Sequence, residues 1–243
     1  MWLKTTQNYS PNFSLPKRSK KKIRFIIIHY TGMKKESSAI KKLCDPTAKV
    51  SSHYFIRKNG NILRLVPDLY EAWHAGISYW KKYSSLNKHS IGIEIHNSGH
   101  EYSYENFPRK QMNSLKKLLK YLIKFYKIDR RNILGHSDVA PRRKKDPGEK
   151  FPWNDLSKIN LAYWHKLKEQ KLKKLRLVKL TQNEENKFLK NLLRIGYNKI
   201  NSSNLRSRKE FLFKAFQRRF RQSLINGLAD QECLLISKNL LRQ

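Results

Sequence analysis

Ile23-Arg24-Phe25-Ile26-Ile27-Ile28-His29 leaves this chain the fewest choices of fold. Its β-branched and aromatic side chains favour extended backbone, and Thr31-Gly32 closes the run, so it reads as a short buried strand. Residues 25–28 form the longest strongly apolar run of the chain, far short of the ~20 residues that span a bilayer. No membrane span is expected.

The segments around this strand point to a mixed sheet. Residues 53–58 and 62–66 flank Asn59-Gly60, a pair that supplies the positive φ angles of a tight hairpin turn. Residues 90–96 alternate, with Ile91, Ile93 and Ile95 on one face and Gly92, Glu94 and His96 on the other. Helical spacing marks residues 36–44 and residues 108–126, where Leu115, Leu118, Leu119, Leu122, Phe125 and Tyr126 form one stripe and Pro108 fits the first turn. A short strand at residues 132–134 runs into a polar loop holding Gly135-His136-Ser137-Asp138 and Asp146-Pro147-Gly148. The expected class is α/β, a mixed central sheet flanked by helices.

The texture changes after Trp153. Residues 157–183 read as a helical linker rich in lysine and leucine, and residues 184–243 as a small all-α unit of three helices. The expected organisation is a basic amino-terminal arm at 1–22, a catalytic domain at 23–156, the linker and the helical unit. Residues 1–22 lack the apolar core of a secretory signal, and Cys44 and Cys233 read as separate thiols, so the cytoplasm is the expected compartment. The formal charge of +35 would suit a polyanionic partner. It is spread along the whole chain without a nucleic-acid motif, so it reads as lysine-rich solvated surface, and no specific nucleic acid is expected.

His29 ends a strand, His136 opens a loop and Asp146 follows ten residues later. Two imidazoles and a carboxylate with an open position form a catalytic zinc set. The chain has eight histidines, so spacing alone does not select these three.

Ordered motifs add the selection. Ile28-His29-Tyr30-Thr31-Gly32, Ala72-Trp73-His74-Ala75-Gly76, Ser90-Ile91-Gly92-Ile93-Glu94-Ile95 and Gly135-His136-Ser137-Asp138 occur in turn, followed by residues 140–148, Ala-Pro-Arg-Arg-Lys-Lys-Asp-Pro-Gly. Together they resemble the type 2 family of N-acetylmuramoyl-L-alanine amidases, zinc enzymes related to peptidoglycan recognition proteins. The resemblance spans about residues 20–155. It implies zinc ligands at His29, His136 and Asp146, a catalytic glutamate at Glu94 and a catalytic lysine at Lys144, with Lys145 the alternative. It also implies hydrolysis of the amide between N-acetylmuramic acid and L-alanine in peptidoglycan fragments, acting as a monomer.

The same motifs raise secondary expectations. Trp73 and His74 line the substrate cleft or pack beneath a loop. Asn97 donates to substrate or ends its strand. Asp138 is expected to hydrogen-bond near His136 and orient the metal site from behind the ligands. Phage members carry a tyrosine where this chain has Ser52, so Glu94 is the expected base and Tyr54 is expected to pack in the sheet. Ala215-Phe216-Gln217-Arg218-Arg219-Phe220-Arg221 and Asn226-Gly227-Leu228-Ala229-Asp230 resemble the helical peptidoglycan-binding domain appended to cell-wall hydrolases. Two rival classes make different demands. A non-cutting peptidoglycan binder would lack a zinc ligand, and a polyanion-binding protein would leave the ordered motifs unexplained.

Overall fold

The protein is described by a computed structural model covering residues 4–198 and 205–243. Its strands in chain order are β1 (Thr6–Gln7), β2 (Phe13–Ser14), β3 (Phe25–Tyr30), β4 (Tyr54–Ile56), β5 (Ile62–Arg64), β6 (Glu71–Ala72), β7 (Tyr79–Trp80), β8 (Tyr83–Ser84), β9 (Ser90–Ile95) and β10 (Ile133–Gly135). The helices are α1 (Glu36–Cys44), α2 (Arg109–Tyr126), α3 (His136–Val139), α4 (Trp153–Lys158), α5 (Glu169–Leu175), α6 (Gln182–Ile195), α7 (Leu205–Phe220) and α8 (Gln231–Leu241).

Six strands form the main sheet in the order β1-β5-β4-β9-β3-β10. The β4–β5 hairpin is antiparallel and the other neighbours run parallel, so the sheet is mixed as expected. Strand alternation divides its side chains cleanly. Ile26, Ile28, Ile56, Ile91, Ile93 and Ile95 share a core with the buried stripe of α2, and Tyr54 packs there too. On the opposite face, Phe25, Ile27 and Leu134 pack against α6, α7 and α8, while Phe55, Leu63 and Leu65 pack against α1. Between these two apolar patches the same face presents His29 and Glu94, which are paired residues of β3 and β9.

Several expectations are corrected by backbone chemistry. Residues 4–22 are no free arm: β1 pairs with the exposed edge of β5, β2 pairs with β6, and Arg18 is buried with its guanidinium donating to the Asp68 and Asn87 carbonyls. An open sheet edge offers unpaired N–H and C=O groups, and this segment satisfies them. In the hairpin only Gly60 carries a positive φ (92°), while Asn59 Oδ1 accepts from the Asn61 N–H. The turn is therefore a bulged one rather than a two-residue reversal. Residues 136–139 form one helical turn instead of a loop. The linker is interrupted between α4 and α5, because Leu161, Ala162 and Tyr163 turn into the core and Asn160 takes a positive φ. Pro108 stands just before α2 as its cap, and Phe125 at its far end is exposed beneath the Lys20 ammonium.

The carboxy-terminal helices are not a separate body. Phe188, Leu192, Phe213, Phe216 and Phe220 share one continuous core with Phe25, Ile27 and Leu134 of the sheet. No helix among the described residues is long and apolar enough to cross a membrane.

Candidate metal centre and substrate cleft

Parallel pairing of β10 with β3 sets Gly135 beside Ile28, so His136, the next residue, arrives next to His29. The loop after α3 returns to the same place, where the Ser137 N–H donates to the Asp146 carbonyl at 2.9 Å. Asp146 Oδ2 then lies 3.0 Å from His29 Nδ1 and 3.0 Å from His136 Nδ1, and the two nitrogens are 2.9 Å apart. Among the described residues, these three buried side chains are the group that could hold a metal ion. Donors bound at about 2.0–2.1 Å to one tetrahedral ion lie roughly 3.3 Å apart. The observed triangle is close to that spacing, and its two nitrogens and one oxygen are donors that zinc accepts.

The electrostatics agree. Burial, and then the neighbouring His136, push His29 down to about 4, so it stays a neutral donor. Burial on its own would raise Asp146, yet the imidazoles of His136 and His29 hold it well below the usual carboxylate range. Each ring is also oriented from behind. His136 Nε2 donates to the Ala75 carbonyl at 3.1 Å, and His29 Nε2 faces His74 Nδ1 at 3.1 Å. Such partners settle which ring nitrogen is free for a metal.

Glu94 sits beside His29 on the cleft floor. Its Oε2 is buried with no hydrogen-bond partner, and burial together with the Asp146 charge raises the carboxyl to about 8. The Lys144 ammonium opposes that rise, and its charge is felt at His29 as well. Both Lys144 and Lys145 line the cleft. The cleft has a volume of about 410 Å³, and Thr31, Trp73, His74 and Arg143 also form its walls. A volume of that order holds a drug-sized ligand.

Other sequence expectations separate here. Trp73 does line the cleft, tethered through Nε1 to Ser14 Oγ at 2.8 Å. His74 lies in the wall with its ring turned back towards His29. Asn97 is buried, its side chain donating to the Glu105 carbonyl and accepting from the Gly99 N–H, so its amide is spent on its own loop. Asp138 hydrogen-bonds next to His136 rather than to its ring. It accepts from the Gly135 N–H at 2.7 Å and the Tyr197 hydroxyl at 2.8 Å, and pairs with buried Arg219. The direct partner of the His136 ring is the Ala75 carbonyl, a backbone group that no side-chain pattern advertises. Tyr54 is buried and donates to Asp68 at 2.7 Å. The sequence reading gave no role to Ser90, whose Oγ is 3.2 Å from His74 Nε2.

Known proteins are similar to this chain in sequence and in fold. The family model described as N-acetylmuramoyl-L-alanine amidase matches residues 19–149. The N-acetylmuramoyl-L-alanine amidase AmiD of Escherichia coli is 36% identical over 234 residues, covering 91% of this chain and 83% of that protein. The 1,6-anhydro-N-acetylmuramyl-L-alanine amidase AmpD of Haemophilus influenzae is 39% identical over 106 residues, 43% of this chain and 55% of that protein. Among solved structures, the E. coli AmiD complex with anhydro-N-acetylmuramic acid-L-Ala-D-gamma-Glu-L-Lys superposes with a TM-score of 0.82 at 32% identity, covering 94% of this chain and 92% of that one. AmpDh3 of Pseudomonas aeruginosa reaches 0.79 at 28% identity over 96% of both chains. The AmiD match runs through the carboxy-terminal helices as well as the sheet, in agreement with the core they share. A family match over more than half of the residues and this near full-length relative leave one conclusion: the chain belongs to the N-acetylmuramoyl-L-alanine amidase family.

Proposed function

We propose that this protein hydrolyses the amide between N-acetylmuramic acid, including its 1,6-anhydro form, and L-alanine in muropeptides, with one zinc ion held by His29, His136 and Asp146. The observation that carries the proposal is the meeting of those three donors, remote in sequence, within 3.0 Å of one another beside a buried carboxyl. The AmiD and AmpDh3 structures with anhydromuramic peptides bound support the substrate class.

The chemistry follows from the residues. Zinc, when bound, would polarise the scissile carbonyl and bring the pKa of its water to about 7. Glu94 takes the proton of the attacking water and returns it to the departing L-alanine nitrogen. Lys144 lies in the same cleft and stabilises the oxyanion of the tetrahedral intermediate. Trp73 forms a wall against which the sugar or peptide packs, and the helical unit is proposed to hold the enzyme on peptidoglycan. The free thiols Cys44 and Cys233 accord with a reducing compartment, and the cytoplasm is the compartment proposed.

The test is mass spectrometry of products after incubating the purified protein, with zinc, on defined anhydro and non-anhydro muropeptides. A free stem peptide beginning with L-alanine is the expected product. Chelation should abolish its formation and zinc should restore it. Full activity in a verified metal-free sample refutes the mechanism.

A further inference from the structure

An imidazole nitrogen that carries hydrogen has no lone pair to offer a metal, so His29 can ligate through Nδ1 only while its proton is on Nε2. The residues behind it are arranged to keep the proton there. The Leu86 carbonyl, which can only accept, takes the Ser90 hydroxyl hydrogen at 2.6 Å. Ser90 Oγ therefore presents a lone pair to His74 Nε2 at 3.2 Å. A neutral imidazole carries a single N–H, so with hydrogen on Nε2 the Nδ1 of His74 is bare. That bare nitrogen lies 3.1 Å from His29 Nε2.

We propose that His74 and Ser90 form a relay that holds His29 in its metal-binding tautomer, with the direction of every hydrogen bond set by the Leu86 carbonyl. The proposal rests on the zinc reading given above and assigns positioning roles to two residues outside the proposed ligand set. The surroundings are shaped for it. Gly92 leaves room for the ring of His74, since a Cβ at that position would lie 2.4 Å from His74 Cγ. Asn87 Oδ1 accepts from the backbone N–H groups of both His74 and Ala75, pinning the segment. The Ala75 carbonyl then orders His136 directly, so two consecutive residues set the tautomers of both imidazole ligands.

The experiment measures zinc affinity of the metal-free protein by competition with a chromophoric chelator, alongside its thermal melt. Wild type is compared with His74→Leu, His74→Asn, Ser90→Ala and the double variant His74→Leu/Ser90→Ala. Loss of the partner behind a metal-binding histidine costs about 10–100-fold in metal affinity, and that is the loss expected for His74→Leu. His74→Asn, which restores an acceptor near the lost Nδ1, recovers most of it. Ser90→Ala weakens binding less, and the double variant is no weaker than His74→Leu because Ser90 acts only through His74. A folded His74→Leu protein that binds zinc as tightly as wild type overturns the relay, and so does full additivity in the double variant. If His74→Leu does not fold, Ser90→Ala decides alone, and undiminished affinity there overturns it. Wild-type protein that binds no zinc sinks the metal reading instead, which keeps the two failures distinct.

Discussion

Glu94 shows how much of the chemistry depends on a single rung of the sheet, since its pairing with His29 places an unpartnered carboxyl beside the metal ligands. Glu94→Ala is expected to keep zinc and lose turnover by about 10²–10⁴-fold, the usual contribution of general acid–base catalysis. His136→Ala should lose both. Metal content and product formation, measured on the same samples, separate the two outcomes, and near-normal turnover in Glu94→Ala ends its assignment as base. The buried histidines make a second prediction, for the metal-free protein. His29 and His165 are held down to about 4 by burial, and burial holds His53 and His74 well below their ordinary value. Unfolded imidazoles titrate near ~6.5, so between roughly pH 6.5 and 4 the unfolded chain binds more protons, and stability present above that window is lost as pH falls. Glu94, raised to about 8, and Asp138, raised by burial, act in the opposite sense, but the lowered imidazoles, His89 and His96 among them, outnumber these two. The urea midpoint should fall between about pH 7 and pH 5, and fall less in His165→Gln; an unchanged midpoint contradicts this reading. At this scale, motif order singled out His29 and His136 from eight histidines, with Asp146 beside them. The partners behind them were not legible, because neither ring orientation nor a backbone carbonyl is written in residue type.

Elements whose side chains alternate against a single core were readable in advance. The alternation of β9 placed its isoleucines under α2 and Glu94 in the cleft, because a one-residue slip would have buried the carboxylate in the core. Elements set by tertiary contact were not. The break between α4 and α5 follows from apolar residues that find the core, and residues 4–22 join the sheet because an edge was available. Gly196 illustrates such a junction. It ends α6 with φ +143°, its carbonyl accepts from the Lys81 N–H, and a Cβ there would lie 2.4 Å from Trp80. Gly196→Ala should therefore cost about 1–3 kcal/mol through backbone strain and overpacking. Urea unfolding is the measurement, and an unchanged midpoint contradicts the strain.

Across the whole molecule, composition marked a boundary near Trp153 that packing does not respect. The helical resemblance suggested an appended module, yet Phe216 and Phe220 face inward into a core that includes Phe25, Ile27 and Leu134. The connection is polar as well as apolar. Asp138, which caps the end of β10 next to His136, accepts from Tyr197 and pairs with Arg219, whose guanidinium stacks 3.3 Å from the Trp153 ring. Removing residues 180–243 would strip the cover from one sheet face and leave Asp138 buried without its cation. Losing one partner of a buried ion pair alone costs about 3–5 kcal/mol, a large share of the roughly 5–15 kcal/mol that holds a typical domain folded. The truncated chain should therefore lose cooperative thermal unfolding and zinc binding together, although no ligand has been deleted. Near-ultraviolet circular dichroism and zinc content of the 1–179 fragment decide the matter. A fragment that melts cooperatively and still cleaves small muropeptides would show that the helices are a detachable binding module after all.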